Sequence, residues 1–118
     1  MKYACLVYAE MPSMLALSKE EGRRLDDDSL DYDKELEQRG HLIAGQALQS
    51  PETAVTIRVR DGRMSSTDGP FAETKEVLCG FILVEARDMN AALEIAAAIP
   101  MARYGSIEVR PILEINHS

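Results

Sequence analysis

The sequence predicts an α+β domain in which antiparallel strands are backed by two helices, and three features of its patterning lead there. Residues 3–8 and 78–85 are apolar on both alternating faces, as strands are when both of their faces are covered. Residues 54–60 alternate strictly and run into Asp61-Gly62, a two-residue turn favoured in hairpins. Two longer stretches, 18–39 and 88–99, repeat apolar residues at helical spacing behind a capping side chain. With 118 residues the chain forms one domain, 1–118, and a chain of that size buries roughly two-thirds of its unfolded surface.

Taken in order, Tyr3-Ala4-Cys5-Leu6-Val7-Tyr8 is expected as a central strand. Ser18 and Glu21 have the spacing of a capping box, each side chain satisfying the other's free amide, so a helix begins there. Leu25, Tyr32 and Leu36 form its apolar stripe, the run of aspartates falls largely on its solvated side, and Gly40 stops it after Arg39. Residues 42–48 read as a second strand, loosened by Gly45 and ended by Ser50-Pro51. In the alternating strand, Val55, Ile57 and Val59 share one face, which makes it half-buried, and a short return strand near residues 63–67 follows the turn. Residues 78–85 form another doubly apolar strand. Asp88 caps a second helix from Met89 to about Ile99, where Pro100 helps to stop it. Its Met89, Ala92, Leu93 and Ala96 suit close packing on a sheet, and residues 106–115 give the last strand, with Pro111 marking an edge or an irregularity.

Composition narrows the classes of function. Thirteen basic against twenty acidic residues leave a net charge of −7, a mean field that repels phosphate backbones and anionic membranes, so no nucleic-acid or membrane partner is expected. Cys5 and Cys79 sit among apolar neighbours, which predicts two buried reduced thiols and a cytoplasmic location. The apolar opening segment is far too short to span a bilayer. No Gly-rich phosphate loop, metal-ligand spacing or nucleophile elbow occurs, and no metal or organic cofactor is expected.

The order strand, helix, strand, hairpin, strand, helix, strand resembles a ferredoxin-like split βαβ with an extra hairpin strand. Both helices then cover one face of the sheet, while the doubly apolar strands leave oily side chains on the other. A second copy covering that face by two-fold symmetry is the economical solution, so a homodimer is expected.

The densest polar stretch is Asp68-Gly69-Pro70-Phe71-Ala72-Glu73-Thr74-Lys75-Glu76, a turn fixed by Gly-Pro, in which Asp68 is placed to accept from downstream amides. It resembles the signature of the DGPF-domain branch of the YCII-related family. Supporting segments are Leu48-Gln49-Ser50-Pro51, Gly80-Phe81, Glu85-Ala86-Arg87-Asp88 and Gly105-Ser106-Ile107-Glu108-Val109-Arg110-Pro111, so the likeness covers nearly the whole chain. The resemblance implies a small dimeric α+β barrel. It also implies a pocket that a histidine and an aspartate face in some members, the aspartate lying in a motif similar to Asp68-Gly69-Pro70-Phe71. This chain departs from that pattern, because residues 18–31, where the histidine belongs, contain none. The two histidines present are His41, after the first helix, and His117, near the end.

Two classes of function remain open. In the first the protein is a cofactor-independent small-molecule enzyme or ligand-binding protein. Its pocket is expected between sheet and helices, with Asp68 as the candidate general acid or base, Tyr8 and Phe71 as apolar walls, and Glu73, Lys75, Arg103, Glu108 and Arg110 as ligand-binding groups. In the second it is an accessory or regulatory module, which the resemblance links to extracytoplasmic-function sigma-factor signalling. The signature also has a purely structural reading, a rigid corner that shapes the dimer, with Asp68 satisfying turn amides and Glu73 and Lys75 pairing across strands with Arg110 or Glu108.

Overall fold

A computed structural model describes residues 1–115. Strand β1 (Lys2–Ala9) is followed by a short helix α1 (Met11–Leu15), the long helix α2 (Lys19–Gln38) and strand β2 (Leu42–Ala47). A hairpin of β3 (Val55–Arg60) and β4 (Arg63–Asp68) comes next, then β5 (Val77–Glu85), helix α3 (Met89–Ala97) and β6 (Ser106–Pro111). The main sheet has the order β2-β5-β1-β6 with every neighbouring pair antiparallel, and β3 with β4 makes a separate two-stranded ribbon. The chain is therefore a mixed α+β fold with antiparallel sheets, and the first strand is central, as its two apolar faces require.

Local chemistry fixes the helices. The Ser18 hydroxyl accepts from the Glu21 amide at 3.0 Å while the Glu21 carboxylate accepts from the Ser18 amide at 3.1 Å, completing the capping box. These bonds hold the Glu21 carboxyl below the usual range. At the other end Gly40 takes φ +78°, and the His41 amide reaches back to the Leu36 carbonyl at 2.8 Å, a Schellman closure. Asp88 caps α3 by accepting from the Ala91 amide at 2.9 Å.

The core lies between the helices and one face of the sheet. Tyr3, Cys5 and Val84 from the strands meet Leu36 of α2 and Ala92, Ile95 and Ala96 of α3. The Tyr32 hydroxyl donates to the Ile95 carbonyl at 2.6 Å and ties the two helices together.

Several expectations are corrected. Helix α1 was absent from the sequence pattern; Pro12 falls in its first turn, where the missing amide costs nothing. The last strand ends at Pro111 rather than reaching Ile115, and α3 ends at Ala97 before a 3-10 turn over Pro100–Arg103. The larger difference concerns the hairpin. Val55, Ile57, Val59 and Met64 share one of its faces and are between 58% and 66% exposed, so this alternating strand is not half-buried within the chain. The hairpin instead stands out as an arm. Consistently, the Cα radius of gyration is 16.3 Å, against about 13.5 Å for a compact chain of this length.

Burial pushes the Cys5 thiol from its ordinary 9.0 up to about 11. The folded chain therefore keeps a proton that the unfolded chain has already lost, so this thiol's contribution to stability is full below pH 9 and disappears as pH rises through 11. Cys5→Val is expected to reduce the fall in urea midpoint between pH 8 and pH 11. The Tyr32 and Cys79 groups, also raised by burial, keep a residual slope in the variant. Equal falls in the two proteins would show that Cys5 does not titrate in this way.

Candidate functional site

The signature begins where the arm ends. Asp68 closes β4 opposite Val55, and Gly69 turns the chain at φ +104°, a conformation that L side chains rarely adopt. The turn is held by the arm, because the Gly69 amide donates to the Ala54 carbonyl at 2.7 Å and the Thr56 hydroxyl donates to the Gly69 carbonyl at 3.0 Å. The expected Asx turn is not formed: among the described residues the Asp68 carboxylate makes no hydrogen bond, and the side chain is exposed. Phe71 is 79% exposed and lies under the Arg58 guanidinium, 5.5 Å from the ring centre.

The return limb of the signature runs back to the main sheet. Glu76 accepts from the Ser106 hydroxyl at 3.1 Å, and Lys75 Nζ lies 3.6 Å from the Glu10 carboxylate. An open cleft of about 560 Å³ forms there, with Tyr8, Glu10, Lys75, Glu76, Ser106 and Glu108 around it. Glu108 is held by Arg110 of the same strand. The cross-strand pairing of Glu73 and Lys75 with Arg110 or Glu108 is therefore replaced by Lys75–Glu10 and Glu108–Arg110.

The structure thus brings Tyr8, Lys75 and Glu108 together, with Arg110 beside them, but not the whole predicted set. Asp68, Phe71 and Glu73 line neither this cleft nor the two other hollows described. Arg103 is elsewhere, bound to Asp28 of α2 at 3.0 Å. His41 is occupied structurally: its Nδ1 lies 2.9 Å from the Glu85 carbonyl, a contact that requires Nδ1–H as donor, while the Glu85 amide returns a bond to His41. His117 lies outside the described residues. Sequence reasoning missed Glu10, Glu76 and Ser106, which reach the cleft only because β1 and β6 pair with Tyr8 opposite Ser106.

Among the described residues no group of three or more His, Cys, Asp and Glu side chains is placed to hold a metal ion. Among the described residues no helix is long and apolar enough to cross a membrane.

A small α+β protein built on one antiparallel sheet, with a polar cleft at the root of an Asp-Gly-Pro-Phe corner, is the class these features define. The sequence model of the YCII-related domain matches residues 1–116. An uncharacterized protein of Rhizobium meliloti (strain 1021) is 37% identical over 114 residues, covering 95% of this chain and 92% of that protein. The chain belongs to the YCII-related family.

The cleft depends on close approach of the backbones beneath it. A Cβ built on Gly105 would lie 1.9 Å from the Tyr8 carbonyl oxygen, so only glycine fits before β6. Gly105→Ala is expected to cost roughly 3 kcal/mol, the upper end of ordinary overpacking, because backbone rather than a flexible side chain must yield. Urea unfolding measures it, and an unchanged midpoint would mean that β1 and β6 approach less closely.

Proposed function

We propose that this chain acts as a homodimer that binds a small molecule at the root of its signature loop, in a ferredoxin-like sheet paired face to face as a dimeric α+β barrel. The observation that carries the dimer is unburied apolar surface in two places. On the sheet face away from the helices, Leu6 pairs with Phe81 and Ala4 with Leu83, all only half-covered. On the arm, Val55, Ile57, Val59 and Met64 form a second exposed stripe. A two-fold related copy can cover both at once, as a patch of this kind demands.

The cleft gives the ligand its character. Lys75 offers a cation shared with Glu10, Tyr8 a hydroxyl above an apolar ring, and Glu76, Ser106 and Glu108 a row of acceptors and a donor, which suits a small polar molecule that both donates and accepts. The reading needs no cofactor. Asp68 remains the candidate acid or base for any turnover, standing at the foot of the arm rather than in the cleft of its own chain. A second reading, an accessory module of extracytoplasmic-function sigma-factor signalling, is favoured by the same arm, since an exposed apolar stripe equally suits a protein partner.

Two experiments test the proposal. Light scattering is expected to give twice the 13.1 kDa chain mass for the native protein, falling toward the single-chain mass when Ile57→Asp places a carboxylate in the stripe. A native mass of one chain, or a variant that stays fully dimeric, contradicts the dimer as drawn. A thermal-shift screen against small polar metabolites is expected to find a stabilising ligand whose effect is lost in Lys75→Ala. No shift across the screen favours the accessory reading.

A further inference from the structure

A second hollow, chemically unlike the cleft, lies on the helix side of the sheet. It measures about 640 Å³ and opens between α1, α2 and the β2–β5 edge, within the range of about 300–1,000 Å³ typical of small-molecule pockets. Its walls are mostly apolar, with Val7, Met14, Leu25, Ile82 and Ile99 among them. The start of β5 separates the two hollows, since Glu76 faces the cleft while Val77 and Leu78 line this cavity.

The charged part of the lining is one-sided, whereas Gln46, Gln49 and Ser50 bring neutral polar groups from β2 and the segment that follows it. Asp26, Ser29 and Asp33 recur at three- and four-residue spacing, so one stripe of α2 faces the hollow. No lysine or arginine lines it. The neighbouring Asp28 shows the contrast: it lies off this stripe and is held by Arg103 at 3.0 Å. Among the described residues no cation lies within ion-pair distance of Asp26 or Asp33. Asp33 is half-buried, and loss of water pushes its carboxyl above the usual range. A carboxylate partly withdrawn from water with no counter-charge is costly, and a cation brought by a ligand removes that cost.

We propose that this cavity binds a primary amine with an apolar body, the chain lying among Val7, Leu25, Ile82 and Ile99 and the ammonium group donating to the carboxylate of Asp33, while the exposed Asp26, two helical turns away, adds to the negative field at the rim. An anionic ligand of the same shape would meet two carboxylates and no cation. A neutral one would fill the apolar walls and could donate a hydrogen bond, but would leave the Asp33 carboxylate without a counter-charge. This inference stands apart from the polar cleft, whose ligand depends on Lys75.

The test compares n-hexylamine, 1-hexanol and hexanoate on the full chain. Cys79 lines the cavity and is partly exposed, whereas Cys5 is fully buried, so alkylation of Cys79 by iodoacetamide reports occupancy site by site in a mass spectrum. Hexylamine is expected to raise the melting temperature and slow Cys79 alkylation, with hexanol weaker and hexanoate without effect. Asp33→Asn is expected to weaken hexylamine at least tenfold while the unliganded variant is no less stable than the parent. Lys75→Ala is expected to leave hexylamine binding unchanged, which separates this cavity from the cleft. Equal effects of the three probes, no effect of any, or undiminished binding in a folded Asp33→Asn variant would each overturn the assignment.

Discussion

Strand β1 carries apolar side chains toward both faces of its sheet, and the chain itself covers only one. Tyr3, Cys5 and Val7 disappear beneath the helices, while Ala4, Leu6 and Tyr8 point the other way and stay half-covered. An antiparallel sheet commonly turns polar side chains to water on its solvated face, and here β6 does so, with Ser106, Glu108 and Arg110 beside the apolar groups of β1 and β5. The open face and the apolar stripe of the arm present the same physical problem in two places. The proposed second copy would cover both, and the cleft would then lie at the edge of the pairing, because Tyr8 and Glu108 belong to that open face.

Where a structural rule is local, the sequence was sufficient. Ser18 and Glu21 form the box that their spacing requires, Gly40 adopts the left-handed turn that ends α2, and Asp61-Gly62 makes the hairpin turn. Alternation in residues 55–59 identified a strand but could not say what its apolar face would meet. That depends on tertiary placement, and here the face stays largely exposed among the described residues. Helix α1 escaped notice because five residues are too few for a helical period to declare itself.

The site was legible in part for the same reason. Tyr8, Lys75 and Glu108 converge because β1 pairs with β6 and the return limb of the signature docks at their ends. Asp68 and Lys75 are seven residues apart yet end at different structural units, one on the arm and one in the loop that docks beside the main sheet. Arg103 was drawn away by Asp28, a partner 75 positions distant that no spacing rule exposes. A pocket between sheet and helices was expected, but its lining was not legible, since it is gathered from α1, α2, β2 and β5 at once and leaves out Tyr8, Asp68 and Phe71.

Small-angle X-ray scattering of the unmodified protein tests the central claim most directly, because it reads mass and shape together. Pairing through the open sheet face predicts a particle of twice 13.1 kDa in which the arms lie against the body. A particle of 13.1 kDa whose profile matches the single chain, arm extended and Cα radius of gyration near 16.3 Å, would contradict it.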